Sequence, residues 1–285
     1  MRRILALTLL APALGCTPPD PAPEELSDLL SFAWSHYSFE VEENEVSLAD
    51  AGLNLNTWFA ETVEASEGYD IEVGFQASLT EPEDRLPDDA LAGLDPAPRF
   101  ASGAGAVGVV VALDTQCTLA DMDRLYTISD QLALHPDNYI TYQRTEEFNY
   151  ACFLDGSCDE FGWVSNIENE LILGATSEFR LHNRLRRVSA EAPDGTPVEA
   201  RLGITWMSEE ATLDPDTIGR WFQNYQLEYL FERPDGTILH VYPQWVEVEV
   251  GEIDTEGNLF LNSYLEGLHE YVLAVEQHCV DGTGA

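Results

Sequence analysis

The chain contains no lysine, and all 13 of its basic residues are arginines set against 52 acids, a formal net charge of −39. That absence removes whole classes of chemistry. Phosphate loops ending in Gly-Lys-Ser/Thr, Schiff-base lysines, kinase strand lysines and Ser-x-x-Lys acyl enzymes all need the missing ammonium. So acidic a surface also repels phosphate backbones and anionic headgroups, which excludes nucleic acid as a partner. No Gly-x-Ser-x-Gly elbow, His-Glu-x-x-His helix or Asp-x-Asp-x-Asp-Gly calcium loop occurs. The six histidines (His36, His135, His182, His240, His269, His278) are scattered without a ligand partner at a diagnostic spacing, so no catalytic residue, metal site or cofactor is assigned. Gly103 to Gly108 spells Gly-x-Gly-x-x-Gly, but it runs into Val109-Val110-Val111-Ala112-Leu113, a buried-strand pattern, whereas a dinucleotide fingerprint opens a helix.

What the chain does carry begins at its start. Arg2 and Arg3 precede an apolar run that ends at Ala13-Leu14-Gly15-Cys16. The run is too short for the roughly 20 apolar residues that cross a bilayer as a helix, and it has the charged and apolar regions of an export signal. The ending resembles the lipobox of bacterial lipoproteins. That resemblance implies removal of residues 1–15, acylation of Cys16 and a membrane anchor, and Thr17 in place of aspartate implies the outer membrane. Ala11-Pro12-Ala13 offers an ordinary cleavage site as the alternative. Residues 16–23, rich in proline, read as an extended tether about 20 Å long.

Four further cysteines, Cys117, Cys152, Cys158 and Cys279, are an even number in an exported chain, which favours two disulfides over zinc. Of three pairings, Cys152 with Cys158 is preferred because Asp155-Gly156 can turn between them, leaving Cys117 for Cys279.

Residues 24–279 read as one α+β domain, with a candidate internal boundary in the proline-rich 81–99 loop and a tail at 280–285. Leu26, Leu29, Leu30, Ala33, Trp34 and Tyr37 form a helical stripe, with His36 placed to favour the helix C-terminus. Partial alternation predicts strands over 37–48 and 69–79, with a short helix over 57–64 between them. Thr118 and Asp121 predict a capped helix running toward His135-Pro136. Two Pro-Asp-Gly-Thr turns predict hairpins pairing 178–190 with 198–207 and 225–232 with 238–250. Pro243 predicts an edge position or a bulge in the last of these strands, where Val246, Val248 and Val250 share one face. Leu259, Leu261, Tyr264, Leu265, Leu268, Val272 and Val275 predict a long closing helix. The whole is an α+β fold: a curved, mainly antiparallel sheet with an N-terminal helix and a long C-terminal helix packed on it. That order loosely resembles the helix-grip, START-like ligand carriers, in architecture alone.

Arg180, Arg184 and Arg186 fall on one face of a strand and form a candidate anion-binding patch; cross-strand pairing with glutamates is the plainer reading. Trp206, Trp221 and Trp245 suit either a pocket or a core. The sequence therefore predicts a lipid-anchored envelope protein, non-enzymatic, that binds an apolar small ligand or an envelope partner, or serves structurally. The alternative is an envelope glycan hydrolase using acidic residues. The first requires a largely apolar cavity between sheet and helix, the second two carboxyls about 5–9 Å apart in an open cleft.

Overall fold

A computed structural model describes residues 21–37, 43–71, 73–100, 102–129, 131–135, 139–170, 174–215 and 219–281. The export signal, Cys16 and residues 17–20 of the tether lie outside these, as do residues 282–285 of the tail.

Two helices open the described chain. In α1 (Leu26–Ser35) the stripe buries Leu29, Leu30, Ala33 and Trp34, and His36 caps its end with Nδ1 2.8 Å from the Phe32 carbonyl. Then α2 (Glu43–Trp58) continues as a π-turn, Phe59–Glu64. This corrects the strand expected over 37–48, of which residues 38–42 are outside the described set. Period-two alternation ended at Leu48, but Leu48, Ala51, Leu55 and Phe59 are all buried and recur every three or four residues, a period visible only when read through the whole segment. The helix expected over 57–64 is the end of this longer one.

The strand expected over 69–79 shortens to β1 (Phe75–Leu79), because Gly74 turns the chain with φ +61°, where an added Cβ would lie 2.4 Å from the Ala112 carbonyl oxygen. After a loop containing α3 (Asp88–Ala92), the glycine-rich segment enters β2 (Val107–Thr115), which is buried throughout. The capping pair forms as predicted: Thr118 Oγ1 accepts from the Asp121 amide and Asp121 Oδ2 from the Thr118 amide, each at 3.1 Å, opening α4 (Leu119–Thr127). There follow β3 (Tyr139–Phe148), α5 (Tyr150–Asp155), β4 (Glu160–Glu170), β5 (Thr176–Glu191), β6 (Pro197–Met207), β7 (Ala211–Asp214), β8 (Gly219–Glu232), β9 (Ile238–Val250) and α6 (Asn258–Asp281).

Both Pro-Asp-Gly-Thr segments are hairpin turns, with Gly195 at φ +85° and Gly236 at φ +87° supplying the left-handed residue. Among the described residues the strands form one nine-stranded antiparallel sheet ordered β1-β2-β9-β8-β6-β5-β4-β3, with β7 pairing β5 and β8. Pro243 therefore sits in a central strand opposite Val110, not at an edge, and the bulge in this region falls in β8 between Trp221 and Gln223. A strand residue donates to one neighbour only, so the missing N–H removes one ladder bond.

The sheet's two faces have different covers. One packs Val110, Leu202, Ile204, Tyr229 and Val241 against α1 and α2. The other, inner face packs Val109, Val111, Leu185 and Tyr242 against α4 and α6. The 81–99 loop is pinned to the first face: Trp245 Nε1 donates to the Asp84 carbonyl at 2.7 Å and Trp206 Nε1 to the Pro96 carbonyl at 2.9 Å. Disulfides Cys117–Cys279 and Cys152–Cys158 form as predicted, the first tying the chain just past β2 to the last turns of α6. The closing helix forms too, except that Leu259 at its start is 75% exposed while Phe260 beside it is buried. No helix among the described residues is long and apolar enough to cross a membrane.

Candidate functional site

Between the inner face of the sheet and α6 lie two adjoining chambers, of about 120 and 50 Å³. His135, Tyr139, Leu181, Gln226, Tyr242 and Tyr271 belong to both linings and so form the partition. The α6 side is one helical face: Phe260, Ser263, Tyr264, Gly267, Leu268 and Tyr271 recur every three or four residues.

Strand alternation supplies the opposite wall, and the β8 bulge adjusts it. Trp221 faces Val248 and Gln223 faces Glu247, so the extra residue between them brings Trp221 and Asn224 to the same inner surface. A row of polar side chains then crosses the strands. Asn183 Nδ2 donates to Ser165 Oγ at 3.0 Å and Thr205 Oγ1 donates to Asn183 Oδ1 at 2.9 Å. Tyr242 donates to Gln226 Oε1 at 2.7 Å, and Gln226 and Gln244 both donate to Asn224 Oδ1, at 3.2 and 3.3 Å. The expected cavity is present in the expected place, but its wall is mixed, polar as much as apolar.

At the partition the His135 ring stacks between Tyr139 and Tyr271, with centroids 4.1 and 4.5 Å away. Burial pushes its pKa down to about 3, so the ring is neutral near pH 7. Below it, the fully buried His240 places Nε2 2.7 Å from Glu228 Oε1, and the Tyr271 hydroxyl donates to the same oxygen at 3.1 Å. Burial first, and the Glu228 carboxylate second, hold Tyr126, Tyr242 and Tyr271 well above the ordinary tyrosine pKa, so all three remain O–H donors.

Size decides what can enter. An apolar cavity of about 150 Å³ takes up benzene, whereas sites for drug-sized ligands span roughly 300–1,000 Å³. The chambers suit one ring-sized molecule.

Of the residues singled out from sequence, Trp221 lines the larger chamber, whereas Trp206 and Trp245 are buried on the opposite face. Of the three arginines, Arg184 contributes to the wall of the smaller chamber and Arg180 to an open groove beside β4 and β5, and all three are ion-paired. Arg180 meets Glu146 at 2.5 Å, Arg184 meets Glu160 at 3.5 Å and Arg186 meets Glu45 of α2 at 2.8 Å. These carboxylates occupy the places an anion would take; Arg180 and Arg184 pair with glutamates of other strands, whereas Arg186 pairs with a helix, which the cross-strand reading did not include. The open groove, of about 560 Å³, carries Glu168, Glu178, Glu209 and Glu210, but an acidic groove selects no reaction by itself. Among the described residues no three of His, Cys, Asp or Glu converge as a metal-binding group. Sequence reasoning missed Glu228, His240, Tyr271 and Trp163; the one available signal was the run of polar residues alternating through β8, Asn224, Gln226 and Glu228, with Tyr225 and Leu227 between them.

No family model matches the chain, and no curated protein matches it. Solved structures do. A START superfamily protein from Mycobacterium smegmatis is 11% identical with a TM-score of 0.40, covering 61% of this chain and 97% of that one. A STAR-related lipid transfer protein from Xanthomonas axonopodis is 13% identical with a TM-score of 0.41, covering 61% of this chain and 85% of that one. Norcoclaurine synthase from Thalictrum flavum is 13% identical with a TM-score of 0.31, covering 62% and 96%.

Proposed function

We propose that this protein is a non-enzymatic binding protein of the cell envelope, exported, acylated at Cys16, held at the outer membrane by its proline-rich tether, and built to hold one small ring-containing molecule beneath α6. The observation that carries the binding role is the pair of chambers lined by aromatic rings and a hydrogen-bonded polar row. Their volume favours a single ring over a two-chain lipid. Support for export is the leader itself, and two disulfides suit an oxidising compartment.

Binding is tested with benzyl alcohol as the probe. Trp221 and Trp163 line the chambers, so occupancy changes tryptophan emission saturably. Ligand at about 100 times its Kd stabilises the fold by about 2.7 kcal/mol, readable as a rise in Tm. Ser263→Trp fills the larger chamber and abolishes both responses; a probe response unchanged in that variant overturns the assignment. The anchor is tested separately by mass analysis of the mature N-terminus. Acylated Cys16 is the expected species, and an unmodified terminus at Leu14 rejects the lipoprotein reading.

A further inference from the structure

The smaller chamber surrounds a carboxylate with aromatic rings. Its lining includes Tyr126, Tyr142, Trp163, Tyr242 and Tyr271 together with Glu228, whose side chain is 12% exposed. A carboxylate withdrawn from water loses several kcal/mol of solvation unless partners replace it. Tyr271 and His240 both reach Oε1, and an ionised carboxylate offers about four acceptor positions over its two oxygens. The Tyr126 hydroxyl is a third neighbour of this carboxylate, so about one of the four positions remains beyond these three.

The one cation buried beside the smaller chamber, Arg144, is already engaged, its guanidinium lying 4.3 Å from the centroid of the Trp163 ring and donating to the Tyr126 carbonyl at 2.7 Å, so among the described residues Glu228 keeps no basic side chain but His240 against it. The larger chamber adds a second acid, Glu170. Arg184 contributes to the smaller chamber's wall, yet its guanidinium pairs with Glu160, and Arg184 lies opposite Ile204, a residue of the other face's core. The chain has no lysine to place an ammonium of its own there, and the net charge of −39 draws cations from solution. Ring faces and a carboxylate attract the same kind of guest, since aromatic quadrupoles favour a cation over their faces.

We propose that the ligand is an organic cation, a ring-sized primary ammonium compound, with Glu228 as its anchor. This rests on the binding role proposed above and names the ligand class for that same cavity. The ammonium donates to Glu228, the chamber's rings surround it, and the ligand's own ring extends past the His135 partition toward Trp221 and Phe260.

Three probes of nearly equal size separate charge from shape: benzylamine, benzyl alcohol and benzoate, titrated by calorimetry into the full mature chain at pH 7. A charge-assisted hydrogen bond exceeds a neutral one enough to make benzylamine at least about tenfold tighter than benzyl alcohol, with benzoate weakest. In Glu228→Gln the benzylamine to benzyl alcohol preference collapses toward one. Should that variant fail to fold, the wild-type series decides alone. Equal affinities for benzylamine and benzyl alcohol, a preference for benzoate, or a preference retained in Glu228→Gln overturns the cationic ligand while leaving the cavity's binding role intact. No binding by any of the three overturns both.

Discussion

Removing the Cys117–Cys279 bridge by a double Cys→Ser change separates two contributions to the cavity, covalent closure and packing of α6. The bridge spans 162 residues, whereas Cys152–Cys158 spans six. On the loop-closure estimate, closing the long loop removes denatured-state entropy worth about 5 kcal/mol at 25 °C, and the short one about 2.2 kcal/mol. Loss of the long bridge should therefore cost about 2–3 kcal/mol more than loss of the short one. Native-state effects point the same way. Cys117 is fully buried and Val275, four residues before Cys279, packs in the same cluster, whereas the short bridge staples one turn after α5. Urea unfolding of the two double variants, with m-values compared, measures the difference. Freed of the bridge, α6 loses its covalent hold on the sheet at one end, so benzyl alcohol binding should weaken in the long-bridge variant and persist in the other. Equal stability losses, or unchanged probe binding after loss of the long bridge, would refute the reasoning that closure of this loop holds α6 over the chambers.

Other outcomes follow from particular groups. Asp123 receives Arg187 and Arg201 at 2.7–3.2 Å on the inner face, so Asp123→Ala leaves two largely buried guanidinium groups without their carboxylate and should cost about 3–5 kcal/mol in chemical denaturation. Gly267→Ala replaces a mid-helix glycine on the cavity wall: helix propensity predicts a gain of about 0.5–1 kcal/mol, while the added methyl takes cavity space and should weaken benzyl alcohol. Two groups oppose each other on acidification. His135, with its folded pKa lowered from 6.5 to about 3, binds its proton first in the unfolded chain, so stability is lost as pH falls from 6.5 toward 3. Asp114, raised from 3.8 to about 6 by burial despite Arg233, binds its proton first in the folded chain, so its contribution grows as pH falls from 6 toward 4. His135→Gln should accordingly make the protein more acid-resistant relative to its own stability at pH 7, and Asp114→Asn less so, each read from urea midpoints between pH 7 and 4.

What was legible in the sequence follows from how local the cause is. The Pro-Asp-Gly-Thr hairpins, the Thr118–Asp121 cap, the α6 stripe from Leu261 onward and the Cys152–Cys158 turn each depend on residues within a few positions, and each formed as read. Pro243 and the 37–48 segment were misread because the deciding fact was distant: a central place for β9 depends on β2 arriving beside it from over a hundred residues away, and α2 shows its period only across two further turns. The cavity is the extreme case. Glu228 and His240 are twelve residues apart and meet only because the turn at Gly236 sets the β8–β9 register, in which Leu230 faces His240 and places Glu228 diagonally adjacent. Tyr271 joins them only because α6 lies across that face. Counting acids could not find this site, since 52 carboxylates are available and one is withdrawn into a ring-lined chamber. Alternation could have pointed to it. β2 keeps apolar residues on both faces through Leu113, whereas Asn224, Gln226 and Glu228 recur at every second position of a strand whose other face carries Tyr225, Leu227 and Tyr229, and so mark a surface whose polarity the core does not require. A polar face kept beneath a helix is stabilised only by partners, and here those are side chains of the neighbouring strands and the Tyr271 hydroxyl of α6.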